Sequence, residues 1–372
     1  MQRALVLARA AVALASPNPT VGCVLVKNGK MVGEGAHYYD EKDHAEIVAL
    51  KQAGDEAAGA TAYVTLEPCS HSGRTGPCAD ALIAAGIREV FVATTDPNPL
   101  VSGAGIARMR AAGIEVAIGM CEAEARTLNN AFAKFIQTRI PYVTLKAALS
   151  LDGYLAPPPA IRTEGQPHWL TGPAARAHVQ RLRHASDAVL TGVRTVLADN
   201  PALTDRTGLP RRRPLLRVVL DSTLATPLDS KLVATANDDL LLLCAQDADT
   251  AREDALTRRN VQVARIPGVS SGSLDLAATL AHLGERGILS VLTEAGSHVN
   301  GSLLRGRHVD KAILFYAPTE LGQGALPFAE GIASPYLFEE SLQRLTRRTF
   351  GDDACVSGYL RDPWRETYRN KS

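Results

Sequence analysis

Residues 43–52 read DHAEIVALKQ and residues 66–78 read LEPCSHSGRTGPC. The first stretch has helical spacing and stops at Gly54, so His44 and Glu46 sit at the start of a helix. The second ends a β-rich run, ATAYVTLEP at 60–68, which Pro68 halts just before Cys69. CADALIAAGI at 78–87 predicts a helix opening at Cys78, REVFVATTD at 88–96 a strand, and AGIARMRAAGI with EVAIG at 104–119 a second helix–strand unit. Upstream, TVGCVLV at 20–26 and MVGEGAHY at 31–38 flank the turn KNGK and predict a hairpin. Crossover helices between such strands imply a mostly parallel sheet with helices on its faces, an α/β architecture.

The grammar then restarts. EAEARTLNNAFAKFIQTR at 122–139 predicts one helix leaving this unit, and IPYVTLKAALSLDG at 140–153 opens another, which places a domain boundary near residue 141 and gives domains 1–141 and 142–372. Further strands and helices follow in DAVLTGVRTVL, LLRVVLDS, LLLLCA, VQVARIP, LDLAATLAHLGERG, ILSVLTEAG and KAILFYAP. YLAPPPAIRTEGQPH at 154–168 is the least regular stretch and is expected to be a loop, beside a site or simply on the surface. The segment after Arg348 carries no functional signal.

Two domains suit a chain of 372 residues that is 46% hydrophobic and 21% charged. With 40 basic against 39 acidic side chains, no overall field favours a nucleic-acid backbone or an anionic membrane, so neither is expected as a partner. The opening MQRALVLARAAVALASPNPTVG has arginine within its apolar pattern and predicts an amphipathic helix rather than a secretion signal; a cytoplasmic protein is expected. Six cysteines are too few for a disulfide scaffold of this length, and Cys23, Cys121, Cys244 and Cys355 fit buried filler.

Cys69 and Cys78 are different. With His44 they form one imidazole and two thiolates, a donor set that zinc accepts while keeping a fourth position for water. A structural site would want a fourth ligand, which Cys121 or His71 could supply. Cys78 at a helix start would be favoured as thiolate by unpaired N–H groups. Zinc lowers the pKa of its water, and Glu46 can carry the released proton to a departing amine. H-x-E with two spaced cysteines is the signature of zinc nucleobase deaminases, here with the loop SHSGRTGP between the cysteines. The competing account of Glu46 is a capping box with Asp43. Asn18, between two prolines in SPNPTVGCV, could orient a heterocycle or simply form a turn, and His71 and Arg74 could meet a phosphorylated substrate or face solvent.

The run PNPTVGCV, HAEIVAL, YVTLEPCSHSGRTGPC, DPNPLVSGAGI and AGIEV closely resembles the bifunctional riboflavin-biosynthesis deaminase/reductase family. The long loop between its cysteines separates that family from cytidine deaminases. Gly76 replaces a proline of the family, and YYDEKDHAE departs from its usual approach to the histidine; neither removes a ligand. The resemblance implies a cytidine-deaminase-like three-layer domain followed by a dihydrofolate-reductase-like α/β domain.

In the second half, no G-x-G-x-x-G follows a first strand, and the glycines of SGAGIARMRAAG lack the downstream acid of a dinucleotide fold. TEAGSHVNGS at 293–302 could cradle a phosphate at a helix start, or be a plain cap. TLKAALSLDG, HWLTGPAARAHVQRLRHASDAVLTGVRTVLADNPALTDR and LTEAGSHVNGSLL resemble the family's reductase half. That resemblance implies NADPH contacts at Ala148, Trp169, Thr195, Asp199, Ser222 and Gly296, Ser297, His298, Val299, Asn300, Gly301 and Ser302. It implies substrate contacts at Arg183, Leu203, Arg206 and Glu294, and at Pro167, where the family has serine. Arg183 and Arg206 can hold a sugar phosphate through paired N–H donors and Trp169 offers a flat face, against plain readings as surface arginine and core tryptophan. Lys146 and Asp152 fit a structural ion pair as well as catalysis.

The resemblance implies zinc-dependent removal of an exocyclic amine from a phosphorylated diaminopyrimidine, then NADPH-dependent reduction of its ribosyl group, in a homodimer joined through reductase domains. The alternatives are a single-function zinc deaminase with a C-terminal binding module, and a zinc-stabilised scaffold in which Glu46 is dispensable.

Overall fold

The computed structural model describes residues 1–70, 76–99, 101–163, 165–166, 168–269 and 273–365, so His71, Arg74 and Pro167 lie outside the described residues. The chain forms two compact units. One comprises Met1–Arg139 together with Pro210–Arg213 and the segment from Pro363; the other comprises Ile140–Leu209 and Pro214–Asp362. Among the described residues, no helix is long and apolar enough to cross a membrane.

The first unit runs α1 (Gln2–Ala10), β1 (Gly22–Lys27), β2 (Lys30–Ala36), α2 (Ala45–Ala53), β3 (Thr61–Val64), α3 (Cys78–Ala84), β4 (Glu89–Val92), α4 (Ala104–Ala111), β5 (Glu115–Ile118), α5 (Glu122–Leu128) and α6 (Asn130–Thr138). Its sheet has the order β2-β1-β3-β4-β5, antiparallel from β2 through β3 and parallel from β3 through β5. Asn28 and Gly29 both have positive φ, the conformation that a two-residue hairpin turn demands. Alternate strand residues such as Cys23, Leu25, Ala62, Val64, Val90 and Val92 pack with Ala45, Ala49, Leu82 and Met109 of α2–α4, while Leu5 of α1 clusters separately with Ala93 and Ala125. Gly35 on β2 is what lets α2 approach: a Cβ there would collide with the Ala45 carbonyl. That close approach fixes the start of α2, and with it His44.

The helix expected over 122–139 is two helices, because Asn129 leaves the helical conformation (φ −113°, ψ 16°). Its buried side chain instead accepts from the Thr20 N–H and donates to the Thr20 carbonyl, at 2.8 and 3.0 Å. The break serves the turn that carries Asn18.

The second unit contains β6 (Tyr142–Ser150), β7 (Tyr154–Ala156), α7 (Pro173–His184), β8 (Ala188–Gly192), α8 (Val193–Asp199), β9 (Leu216–Leu220), α9 (Lys231–Ala234), β10 (Leu240–Cys244), α10 (Thr250–Thr257), β11 (Val261–Arg265), α11 (Leu276–Glu285), β12 (Ser290–Thr293), α12 (Ser297–Arg305), β13 (Lys311–Ala317), β14 (Leu326–Pro327), α13 (Pro335–Glu339), β15 (Gln343–Phe350) and β16 (Asp353–Tyr359). Among the described residues, nine strands form one sheet in the order β11-β10-β9-β8-β12-β6-β13-β16-β15, parallel as far as β13 and antiparallel at the β16–β15 edge. Central strands β8 and β10 are buried at every residue, as helices on both faces require. Of the segment after Arg348, the end of β15 and all of β16 are thus part of the sheet. Irregular residues 154–168 supply β7, which pairs with β14.

Candidate active sites

His44 is the N-cap residue of α2, Cys69 follows the Pro68 turn after β3, and Cys78 begins α3. His44 Nδ1 lies 3.1 Å from Cys78 Sγ and 3.6 Å from Cys69 Sγ, and the three ligand atoms lie within 4.8 Å of one another. Tetrahedral zinc with ordinary Zn–N and Zn–S bonds separates such atoms by about 3.6 Å, so the donor set fits that ion in both chemistry and spacing. The three residues thus form a zinc-binding triad.

The helix-start N–H at Cys78 is used differently from the sequence expectation. It donates at 3.3 Å to the sulfur of Cys69, not to that of Cys78. Hydrogen bonds from the Cys78 thiol and from His44 hold the Cys69 thiol well below its ordinary value, whereas Cys78, beside the Cys69 thiolate and buried, is pushed up. The hydrogen bond to Cys69 raises the proton affinity of His44.

Glu46 is buried in the first turn of α2, and burial pushes its carboxyl up to about 7 against the pull of His44. The capping-box account of this residue is not realised. The N-cap is His44, no side chain caps the helix, and Asp43 instead pairs with Lys51 at 2.5 Å. Cys121 is the N-cap of α5 and accepts from Gln2 Nε2 at 3.3 Å, outside the metal cluster.

Two further residues stand beside this centre, and neither was expected from the sequence. Buried His37 receives Asn18 Nδ2 at Nε2 (3.0 Å), meets the Asp43 carbonyl through Nδ1 (2.8 Å), and sets its ring edge-on to His44 with centroids 5.1 Å apart. Because the Asp43 carbonyl only accepts, Nδ1 carries the proton and Nε2 accepts from the Asn18 amide. Buried Glu67 accepts the backbone N–H groups of Asp96, Gly103, Gly105 and Ile106 at 2.9–3.3 Å. It thereby fixes the start of α4 under Pro68, where Gly105 is required because a Cβ would strike the Pro68 carbonyl. A buried acid directly before a Pro-Cys turn was the available clue.

The second unit holds a cavity of about 990 Å³. Of the positions expected to meet NADPH, Ala148, Trp169, Thr195, Asp199 and Ser222 line it, as do Gly296, Ser297, His298, Val299 and Ser302. Asn300 and Gly301 do not. Asn300 turns into the core to donate to the Phe328 carbonyl at 3.0 Å, and Gly301 abuts the Glu330 backbone, since both lie on the inner side of α12. Ser297 begins α12 after the N-cap Gly296, and its buried Oγ has no partner among the described residues. An orphaned hydroxyl at a helix N-terminus on the cavity wall suits an anionic cofactor group. Trp169 is no core residue: it is 62% exposed, with Arg176 5.2 Å from its ring centroid.

Arg183, Leu203, Arg206 and Glu294 also line the cavity. The Arg183 fork, however, is committed to Glu294 at 2.6 and 3.2 Å, and its Nη1 to the Thr204 carbonyl at 2.9 Å. Lys146 completes the group 3.6 Å from Glu294, rather than pairing with Asp152. Asp152 accepts from Ser150 and from the N–H groups of Leu321 and Gly322, pinning a turn. Burial alone would raise the Glu294 carboxyl, but Arg183 and Lys146 together hold it below its ordinary value. Asp199 is held above its ordinary value by burial, against Arg162 and His168.

The RibD C-terminal domain model matches residues 141–356. The chain belongs to the RibD family. A second model, the cytidine and deoxycytidylate deaminase zinc-binding region, matches residues 1–94. RibD of Aquifex aeolicus is 42% identical over 358 residues, covering 96% of each chain, and RibD of Escherichia coli K12 is 41% identical over 374 residues, covering 96% of this chain and 97% of its own. Among solved structures, Acinetobacter baumannii RibD superposes with a TM-score of 0.81 at 37% identity, covering 96% of this chain and 97% of its own. A deaminase/reductase of Thermotoga maritima, described as acting on diaminohydroxyphosphoribosylaminopyrimidine and 5-amino-6-(5-phosphoribosylamino)uracil, gives a TM-score of 0.80 at 32% identity with the same coverage. This RibD-family chain is a bifunctional deaminase/reductase, a cytidine-deaminase-like unit with a zinc triad joined to a dihydrofolate-reductase-like α/β unit.

Proposed function

We propose that the first unit deaminates 2,5-diamino-6-ribosylamino-4(3H)-pyrimidinone 5′-phosphate and that the second reduces the ribosyl group of the product to ribityl with NADPH. The observation that carries the first half is buried Glu46 beside His44, Cys69 and Cys78. His44, Cys69 and Cys78 would hold a zinc ion, whose Lewis acidity would lower the pKa of a water at the site. Glu46, whose proton affinity burial brings to about 7, takes a proton from water and returns it to the departing amine. Asn18, oriented by His37, meets the pyrimidine, and His71 and Arg74 from the inter-cysteine loop meet its ribosyl phosphate.

In the second unit the cavity residues would hold NADPH, which would supply a hydride for the sugar C1′. Trp169 lies against a ring of the bound ligands, the α12 start at Gly296 and Ser297 takes an anionic group, and exposed Arg206 holds the sugar phosphate. The Lys146–Glu294–Arg183 group positions the sugar. Asp199, held above its ordinary carboxylate value by burial, is the proton donor. The enzyme acts in the cytoplasm as a homodimer through reductase units, with no nucleic-acid partner, a reading that near-neutral charge and family resemblance support.

Purified zinc-loaded protein is incubated with the diaminopyrimidine ribosyl phosphate, ammonia is measured, and NADPH is then added. Ammonia release followed by NADPH oxidation and a two-hydrogen mass gain is expected. Ammonia without reduction would overturn the second half, and reduction without ammonia the first. Glu46→Gln should keep its zinc and lose deamination by roughly 10²–10⁴-fold.

A further inference from the structure

The sequence PRRRP at 210–214 lies between α8 and β9 of the reductase unit, yet Pro210–Arg213 belong to the deaminase unit. The Arg212 backbone N–H donates to the Ala13 carbonyl at 3.0 Å. Its guanidinium donates from Nη1 to the Ser16 carbonyl at 3.2 Å and from Nε to Asp40 at 3.0 Å, and stacks 3.9 Å from the Tyr39 ring centroid. Arg213 adds a bond from Nη2 to Ser16 Oγ at 3.3 Å. Ser16 stands two residues before Asn18, and Tyr39 two residues after His37. One guanidinium therefore grips both chain segments whose side chains meet in the Asn18–His37 bond, and His37 lies against the metal ligand His44. On its other side the same turn is held by Asn129 through Thr20.

We infer that Arg212, assisted by Arg213, is a positioning element of the deaminase site, fixing the Asn18–His37 pair relative to His44. The ion pair with well-exposed Asp40 adds little stability by itself. What the guanidinium contributes is geometry, because its planar fork and stacking face restrain two loops at once in a way a lysine cannot. The effect reaches Asn18 through the Ser16 backbone. The inference rests on the proposal that Asn18 orients the pyrimidine.

The test compares full-length wild type with Arg212→Ala, Arg212→Lys and Arg213→Ala. Deamination is followed by ammonia release. Reduction is followed separately, by supplying 5-amino-6-(5-phosphoribosylamino)uracil and NADPH. Arg212→Ala should raise the deamination KM about tenfold with a smaller change in kcat, Arg212→Lys should fall between, and zinc content and reduction should stay at wild-type values. An unchanged deamination KM in a folded, zinc-loaded Arg212→Ala protein overturns the inference, as does an equal loss in both reactions. If Arg212→Ala does not accumulate, Arg212→Lys combined with Arg213→Ala carries the same comparison. If wild type releases no ammonia, the proposed deamination itself fails, and amide exchange over residues 14–18 decides positioning. Faster exchange in the variant retains it, and unchanged exchange sinks it.

Discussion

Glu294→Gln isolates what one buried carboxylate does for the reductase unit. Glu294 takes two bonds from Arg183 at 2.6 and 3.2 Å and lies 3.6 Å from Lys146, with all three side chains at most 15% exposed. Glutamine keeps the shape but offers a single acceptor oxygen, so one Arg183 donor faces an N–H group and two buried cations lose their counter-charge. Removing one partner of a buried pair costs about 3–5 kcal/mol; the isosteric amide retains part of the bonding, which places the expected loss near 3 kcal/mol. For a unit of this size, that lowers Tm by roughly 6–12 °C. The sign with pH follows from the depressed folded pKa of Glu294. Its contribution is fully present above the unfolded carboxylate value near 4.3 and is lost as pH falls through the folded value. The gap between wild type and variant should therefore be widest at pH 7 and close in acid. Scanning calorimetry of full-length protein at several pH values measures it. A gap below about 2 °C at pH 7, or one that does not narrow as the carboxylate protonates, refutes the reasoning.

Chelating the metal should abolish ammonia release while leaving NADPH oxidation intact when the deaminated pyrimidine is supplied; parallel loss of both would show that the triad also sustains the reductase unit. Glu67→Ala leaves the four N–H groups over the Pro68–Cys69 turn without their acceptor, so zinc should pass to a chelator at least tenfold faster, and an unchanged transfer rate would separate Glu67 from the metal turn. Trp169→Ala removes an exposed ring from the cavity and should raise the KM for NADPH about tenfold with Tm within about 1 °C of wild type. A drop of several degrees would instead assign Trp169 a packing role.

Much of the deaminase site was visible in the sequence because its chemistry is local. His44 and Glu46 share one helix start, and Cys69 and Cys78 flank one loop, so spacing alone reports their geometry. The hairpin at Asn28–Gly29 was equally readable, since the turn demands those residue types. What stayed hidden depends on partners distant in the chain. Asn129 sits in a strongly helical run and breaks it only because Thr20 needs its amide. The Cys78 N–H meets the sulfur of Cys69 rather than its own, a matter of backbone direction that composition does not carry. In the second half, residue types suggested a phosphate-binding fork at Arg183, but Glu294 occupies that fork, and only the packing of α7 against the end of β12 reveals it. Asn300 and Gly301 differ from their neighbours on α12 simply by facing inward.

The deaminase unit is assembled from three stretches of chain, and the last of them includes Trp364, whose Nε1 donates to Asn130 at 2.8 Å while its ring joins the first unit's core. On a ribosome adding about 5–20 residues per second, the N-terminal unit must wait several seconds for its arginine triplet and longer still for Trp364. Its zinc ligands emerge early, so metal can be captured by a unit not yet closed. A gene split near residue 141 would yield an N-terminal product lacking Pro210–Arg213 and the stretch that carries Trp364, so the contacts that Arg212 and Trp364 make with it would be missing.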